Sequence, residues 1–269
     1  MISTTEAYGF QFAYPSGDTA VGYCLREHGE FSRVGATLAM QISRGRTFID
    51  VGANIGAIAL PVSRQAKRVI AIEAHPDLAN ILKQNVHENE ITNIDVIHAA
   101  AGATRGDVNF PAMPLDSTGN FGMSGFGREG ELIKIQMMTL DEISPPDTAM
   151  IKVDVEGYEH EVLAGAKDTL RIKRPHLLVE VSADSLSTQP TIDILTSSNY
   201  QLYWFVDPFV TPRAPKAPWQ GKRKGDIHVF AVPAEASQPD DMTPVRVGEP
   251  YPSGLDGYRY LKAFGFRIP

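Results

Sequence analysis

In the stretch FIDVGANIG, residues 48–56, Asp50 precedes Gly52, Asn54 follows, and Gly56 closes the run. An apolar strand that ends in a glycine turn and enters a helix near Asn54 to Ala66 points free N–H groups at a ligand on the carboxyl edge of a sheet. Glu73 follows Gly56 by 17 residues, and an acid about 20 residues past such a turn reaches a ribose diol. A triphosphate loop needs G-x-x-x-x-G-K-[ST]; Ala57 and Ile58 follow Gly56 here, which argues against nucleotide hydrolysis. A dinucleotide site wants a middle glycine where this chain has Asn54, and Asp50 would face the pyrophosphate, so that reading is weakened without being closed. A ligand with an ammonium group and a ribose but no phosphate fits better, and S-adenosylmethionine is such a molecule.

A second group of charges stands in IKVDVEG, residues 151–157. Strand alternation puts Lys152, Asp154 and Glu156 on one side, at the edge where open α/β sheets bind ligands. A structural pair accounts for Lys152, with Asp154 or Glu180 as its partner. Asp154 is the better candidate for chemistry, joined by Glu180 of LLVEV, since two close carboxylates raise one pKa toward the range that accepts a proton from a hydroxyl. Two acids without a histidine are a weak metal signal, and no metal is expected. His28, His75 and His160 read first as surface or capping residues, with His28 beside Glu30 also a candidate acceptor contact.

Short β-branched runs alternate with helical patterns and supply the strands that carry these residues: TFIDV, RVIAIEA, IDVIHAA, AMIKVDV, HLLVEV, YQLYWFV and DIHVFAVP. The alternation predicts an α/β fold, a doubly wound sheet with helices on both faces. Residues 77–89 place Leu78, Ile81, Leu82, Asn85 and Val86 on one stripe behind a His75-Pro76-Asp77 start, and 156–170 carries Val162, Leu163, Ala166 and Leu170. Pro61 should bend the helix after the glycine turn. Residues 102–148 should add strands around a glycine-rich loop, since DVNFPAM and ELIKIQMMTL are strand-like. The Pro-rich, basic stretch 207–225 reads as a surface loop. The aromatic end of the tail should dock on the domain or on a second copy in a homodimer.

The chain has 269 residues, 43% of them apolar, which suits one sizeable core. A net charge of -7 argues against a general nucleic-acid binder. With no apolar run of membrane-spanning length and no signal-like start, a cytoplasmic protein is expected. The single cysteine, Cys24, excludes an internal disulfide and a thiolate cluster for zinc.

FIDVGANIG (48–56), IEAHP (72–76), MTLDEI (138–143), IKVDVEGYEHEVLAGA (151–166) and RPHLLVEV (174–181) occur in that order. Together they resemble the FkbM family of S-adenosylmethionine-dependent methyltransferases over roughly residues 25–235, and HGEFS (28–32) is similar to a short family motif ahead of the first strand. The resemblance implies a class I methyltransferase (Rossmann-like) fold with a seven-stranded, mostly parallel sheet, an antiparallel last strand and extra strands inserted after strand 3. It divides the chain into an N-terminal extension with a lead-in helix (1–45), a methyltransferase domain (46–233) and the tail (234–269). The implied activity is O-methylation of a hydroxyl on a sugar, glycan or secondary metabolite, with S-adenosylmethionine as cofactor and no nucleic acid as partner.

Carried over, Asp50, Gly52, Asn54 and Gly56 would cradle the methionine part and Glu73 the ribose hydroxyls, with Asp154 close by. Ala74, Ala100 and Ala101 would lie by the adenine, where they supply no acid for its amino group, so backbone atoms are expected to serve. Asp154 would be the base that takes the acceptor's proton, with Glu180 and Glu30 positioning the acceptor. His28, Asn120, Glu156 and Trp219 are the candidate acceptor contacts, Asn120 through the resemblance of GNFG to a family loop. The basic loop 212–224 with Trp219 could close over an acidic or glycosyl acceptor. Three readings compete with O-methylation: an amine acceptor, binding without catalysis, and a nicotinamide oxidoreductase.

Overall fold

The computed structural model describes residues 1–116, 118–126, 130–183, 186–217, 225–246, 251–252 and 257–268. The chain opens with a hairpin of β1 (Ile2–Ala7) and β2 (Phe10–Pro15). Its two-residue turn holds Tyr8 and Gly9 at φ 54° and 71°, the left-handed pair that matches strand twist in tight hairpins. Two helices follow, α1 (Val21–His28) and α2 (Arg33–Ile42). The hairpin is absent from the sequence reading because its alternation is short and half-polar.

The main sheet begins with β3 (Thr47–Val51), after which a turn leads into α3 (Ala59–Ser63). Then come β4 (Arg68–Glu73), α4 (Pro76–Glu88) and β5 (Ile94–His98). An insertion folds as β6 (Ala100–Ala101), β7 (Gly106–Ala112) and β8 (Glu131–Met138), a small sheet of order β6-β8-β7 beside the main one. The chain returns through α5 (Leu140–Ile143), β9 (Thr148–Val153), α6 (Glu159–Ala164), β10 (His176–Glu180) and α7 (Thr188–Ser197). It ends with β11 (Tyr200–Pro208), β12 (Gly225–Pro233) and the short β13 (Thr243–Pro244).

In space the order is β13-β11-β12-β10-β9-β3-β4-β5. Strands β5, β4, β3, β9 and β10 run parallel, and β12 inserts antiparallel between β10 and β11. This is the class I methyltransferase arrangement, with β13 added at one edge. The central strands are apolar on both faces, as a sheet sandwiched between helices requires: Phe48, Ile49, Ile151, Val153, Leu177 and Val179 are all fully buried. The strand order reverses between β3 and β9, and a crevice opens there beyond the carboxyl ends.

Two helical expectations need correction. No long helix follows the glycine turn. Leu60 N–H bonds to Gly56 O and Val62 N–H to Ile58 O, but Pro61 has no N–H for the Ala57 carbonyl between them. Regular helix is confined to five residues with Pro61 in its first turn, where its missing donor costs little. The helix expected over 156–170 starts at Glu159, stops at Ala164 and resumes as a wide turn over Thr169–Lys173. It breaks where a Cβ on Gly165 would meet the Gly102 carbonyl oxygen at 2.1 Å, so two backbones touch.

The tail lies on its own chain. Tyr260 Oη accepts from Val206 N at 2.6 Å and donates to Val206 O at 3.0 Å, with its ring stacked on Phe205. No described helix is long and apolar enough to cross a membrane.

Candidate active site

Beyond the carboxyl edge lies a cavity of about 340 Å³, a volume typical of small-molecule sites. Its floor is the turn after β3. Gly52 needs its φ of +82°, and a Cβ there would overlap the Asp154 carbonyl oxygen at 1.8 Å, so the turn after β3 presses directly on the end of β9. Asn54 follows at φ 51°, a conformation that asparagine tolerates better than most residues. The turn is pinned by Glu73, whose Oε2 accepts from Asn54 N at 2.7 Å while Oε1 accepts from His75 N at 2.8 Å. A carboxylate offers about four acceptor positions, so Glu73 can hold the turn and still receive two hydroxyls. Burial pushes its carboxyl up to about 7 against the pull of those N–H groups.

Asp50 also lines the cavity and is 1% exposed, and neither of its oxygens has a hydrogen-bond partner. A buried acid left this way is costly unless a ligand completes it. Burial pushes it up to about 6, with Lys152 pulling the other way. Asp50 and Lys152 face each other across β3 and β9. The amino and ribose groups of S-adenosylmethionine fit this donor set, with Asp50 for the ammonium and Glu73 for the diol. Ala74, Ala100 and Ala101 line the same cavity, joined by the rings of Phe110, Phe126 and Tyr158. Phe126 and Tyr158 lie 4.4 Å apart, centroid to centroid, so an aromatic wall stands where no acid was found in sequence.

Next to Asp50 the acids gather. Lys152 Nζ donates to Asp154 Oδ2 at 2.7 Å. Burial works against the charge on Asp154, yet Lys152 and a hydrogen bond from Glu180 bring its carboxyl down to about 2. Glu180 moves the opposite way: burial, then the charges of Asp154 and Asp226, raise it well above the ordinary carboxyl range. Glu156 joins them, and Asp154, Glu156 and Glu180 each bring an oxygen within 4.8 Å of the others. Strand alternation does not carry Glu156 there, because β9 ends at Val153. A left-handed turn at φ 56° does so. Glu159 pins that turn by accepting from Val155 N and Gly157 N, and Ser187 Oγ holds Glu159 at 2.7 Å.

The roof comes from the insertion and the N-terminal segment. Asn120 lines the cavity and accepts from Gly122 N at 3.1 Å. Thr19 N–H bonds to Gly119 O, which ties this loop to the chain ahead of α1. Phe31 and Phe209, stacked at 5.6 Å, line the cavity together with Asp226. Sequence reasoning missed these rings, Asp226 and Glu159, since no spacing rule links residues that meet only through the fold. Cys24 also lines the cavity, with its thiol pushed up to about 12 by burial and the nearby acids.

Several expected contacts lie elsewhere. Glu30 is fully buried outside the cavity lining, where Oε1 accepts from Thr211 N at 2.5 Å and Oε2 pairs with Arg33. It joins the 30–33 segment to the loop after β11 and does not line the cavity. His28 is likewise outside the lining, bonded to the Ala217 carbonyl. Gly56 is a packing glycine: at φ +91° a Cβ would strike Leu60 and Leu82 at 2.5 Å. Trp219 and the basic residues Lys222 to Lys224 lie outside the described residues.

The Methyltransferase FkbM domain model matches residues 50–202, more than half of the chain. The hexuronic acid methyltransferase AglP of Haloferax volcanii is 33% identical over 138 residues, covering 50% of this chain and 55% of that protein. The probable ribosomal RNA small subunit methyltransferase A of Methanosphaera stadtmanae is 43% identical over 56 residues, 21% of each chain. The chain therefore spans about half or less of the length of these curated relatives. Among solved structures, methyltransferase FkbM from Methylobacillus flagellatus aligns with a TM-score of 0.48 at 21% identity, covering 69% of this chain and 43% of the other. The precorrin-6y C5,15-methyltransferase of Geobacter metallireducens aligns at 0.49 and 12% identity, covering 75% and 87%. With the glycine turn, Glu73 and the acid-lined end of β9 all inside the matched span, the chain belongs to the FkbM methyltransferase family.

Proposed function

We propose that the protein transfers a methyl group from S-adenosylmethionine to a hydroxyl oxygen of a sugar, glycan or other small hydroxylated acceptor, with residues 46–233 as the catalytic unit. The observation that carries this reading is the unpartnered, buried Asp50 carboxylate beside the Glu73-pinned turn, adjoining the Asp154–Glu180 pair in one cavity. When bound, the cofactor supplies an electrophilic methyl group. Asp50 binds its ammonium, Glu73 its ribose hydroxyls, and the backbone of residues 52–54 shapes the floor.

The remaining work is to orient the acceptor and receive its proton. Lys152 stabilises the charge on Asp154 and so makes Asp154 a weak base when alone. Glu180 has the opposite bias, and the two carboxyls share a proton as one unit. The proton-accepting role therefore passes from Asp154 alone to the pair, in which Glu180 is the member with the higher affinity for the proton. Asn120, Glu156 and Asp226 stand at the acceptor end as positioning groups. AglP, named for a hexuronic acid, favours a glycan among the acceptors.

Incubation of the protein with methyl-labelled cofactor and a panel of glycosides, read by mass spectrometry, should show label on an oxygen. On the responding acceptor, Glu180→Gln should lower kcat by about 100-fold or more and alter the pH dependence of the rate. An unaltered profile in that variant contradicts the assignment.

A further inference from the structure

A second concavity, of about 550 Å³, lies on the far side of two walls of the active-site cavity. Segment 29–33 turns Phe31 toward the active site and Gly29 and Arg33 toward this groove. The loop after β11 does the same, with Phe209 on one side and Pro215 and Lys216 on the other. Arg33, Arg64 and Lys216, three cations from three separate segments, line the groove over a floor that includes Met40 and Pro61, with Glu6 as the one acid among the described lining residues. For a chain of net charge -7 this is a local reversal of sign, and concave cationic surfaces concentrate anions.

The partners of these cations are informative. Arg64 lies over the Phe10 ring at 4.1 Å and its Nη2 donates to Gly9 O at 3.3 Å. Lys216 Nζ donates to Thr5 Oγ1, Leu25 O and Arg26 O at 3.0–3.2 Å. Those contacts are with a ring and neutral oxygens, so among the described residues neither side chain has an acidic partner; Lys216 uses all three of its N–H donors on these oxygens, while Arg64 keeps donors free. Arg33 pairs with buried Glu30 and leaves 38% of its side chain exposed. Fixed cations need little further ordering when an anion arrives.

We infer that this groove is a binding site for a phosphate-bearing small molecule, with Arg64 as its hydrogen-bonding contact and Lys216 and Arg33 adding positive field beside it. The ligand's phosphate meets the cations, and its less polar body lies on Met40 and Pro61.

The test is calorimetric titration of the full chain with sodium pyrophosphate, in the presence and absence of S-adenosylhomocysteine. The expected result is saturable binding that is indifferent to S-adenosylhomocysteine and falls with added salt. Arg64→Gln should weaken it by about tenfold, the effect of one close charge in a partly screened site. Glu6→Gln, at an exposed position, should strengthen it about two- to threefold, and keeps the test decisive should Arg64→Gln lose stability. Absence of saturable binding up to about 10 mM, a range below which ligand affinity exceeds roughly 3 kcal/mol, overturns the proposal. So does competition with S-adenosylhomocysteine, or an affinity that neither substitution moves.

Discussion

At the residue scale the site is a set of carboxyls whose burial differs more than their chemistry. Glu73 and Asp207 are pushed up to about 7, and Glu180 is also raised, all chiefly by burial. For an acid with a raised folded pKa the native state binds more protons than the unfolded one, so stability is lost as pH rises through the folded value. His228 works oppositely: burial brings it down to about 3, and its contribution is complete above its unfolded value near 6.5. The ligand-free protein should therefore lose stability between about pH 6.5 and 8, by on the order of 1–3 kcal/mol. Thermal melts across that range check it, and a flat or rising Tm contradicts it. The positions of Glu73 and Glu180 were legible in sequence, because strand ends and glycine turns have fixed places in such sheets, whereas Asp207 fell in a stretch read as loop. Their roles were not: the 2.7 Å contact of Lys152 with Asp154, on which the proposed sharing of the proton with Glu180 rests, depends on burial and rotamer.

At the element scale, Asn85 links three pieces. Fully buried on α4, it accepts from Ala13 N at 2.6 Å and donates to the carbonyls of Ala13 and Ile55. It therefore fastens the N-terminal hairpin and the glycine turn to one helix. Asn85→Ala would leave buried backbone groups unpaired and should cost about 2–4 kcal/mol, with weaker S-adenosylhomocysteine binding because the turn loses its support. A melt and a titration read both, and a loss under about 0.5 kcal/mol, the range of an ordinary surface change, would show that water replaces the side chain. Leu78, Ile81, Leu82 and Asn85 were readable as one buried stripe, but a stripe shows which face is buried and not what covers it. For the same reason the hairpin, the Gly102–Gly165 contact and the late start of α3 escaped periodicity.

At the scale of the whole molecule, the parallel strands and their order follow from apolar runs separated by helices, and the sheet places every chemically active strand end on one edge. The tail is the part that periodicity could only sketch: its aromatics signalled docking, and the fold supplies the place. Tyr260→Phe removes the hydroxyl that satisfies both Val206 N and Val206 O and should lower stability by about 1–2 kcal/mol, with no change in S-adenosylhomocysteine affinity. A change in affinity would show that the tail reaches the site. In the proposed function the cavity above Asp50 and Glu73 holds a methyl donor and not a dinucleotide. Calorimetric titration with S-adenosylhomocysteine and with NAD tests it most directly. The expected result is one-to-one binding of S-adenosylhomocysteine, weakened about tenfold or more by Glu73→Gln, and no saturable binding of NAD. Absence of S-adenosylhomocysteine binding, or NAD bound as tightly, would contradict it.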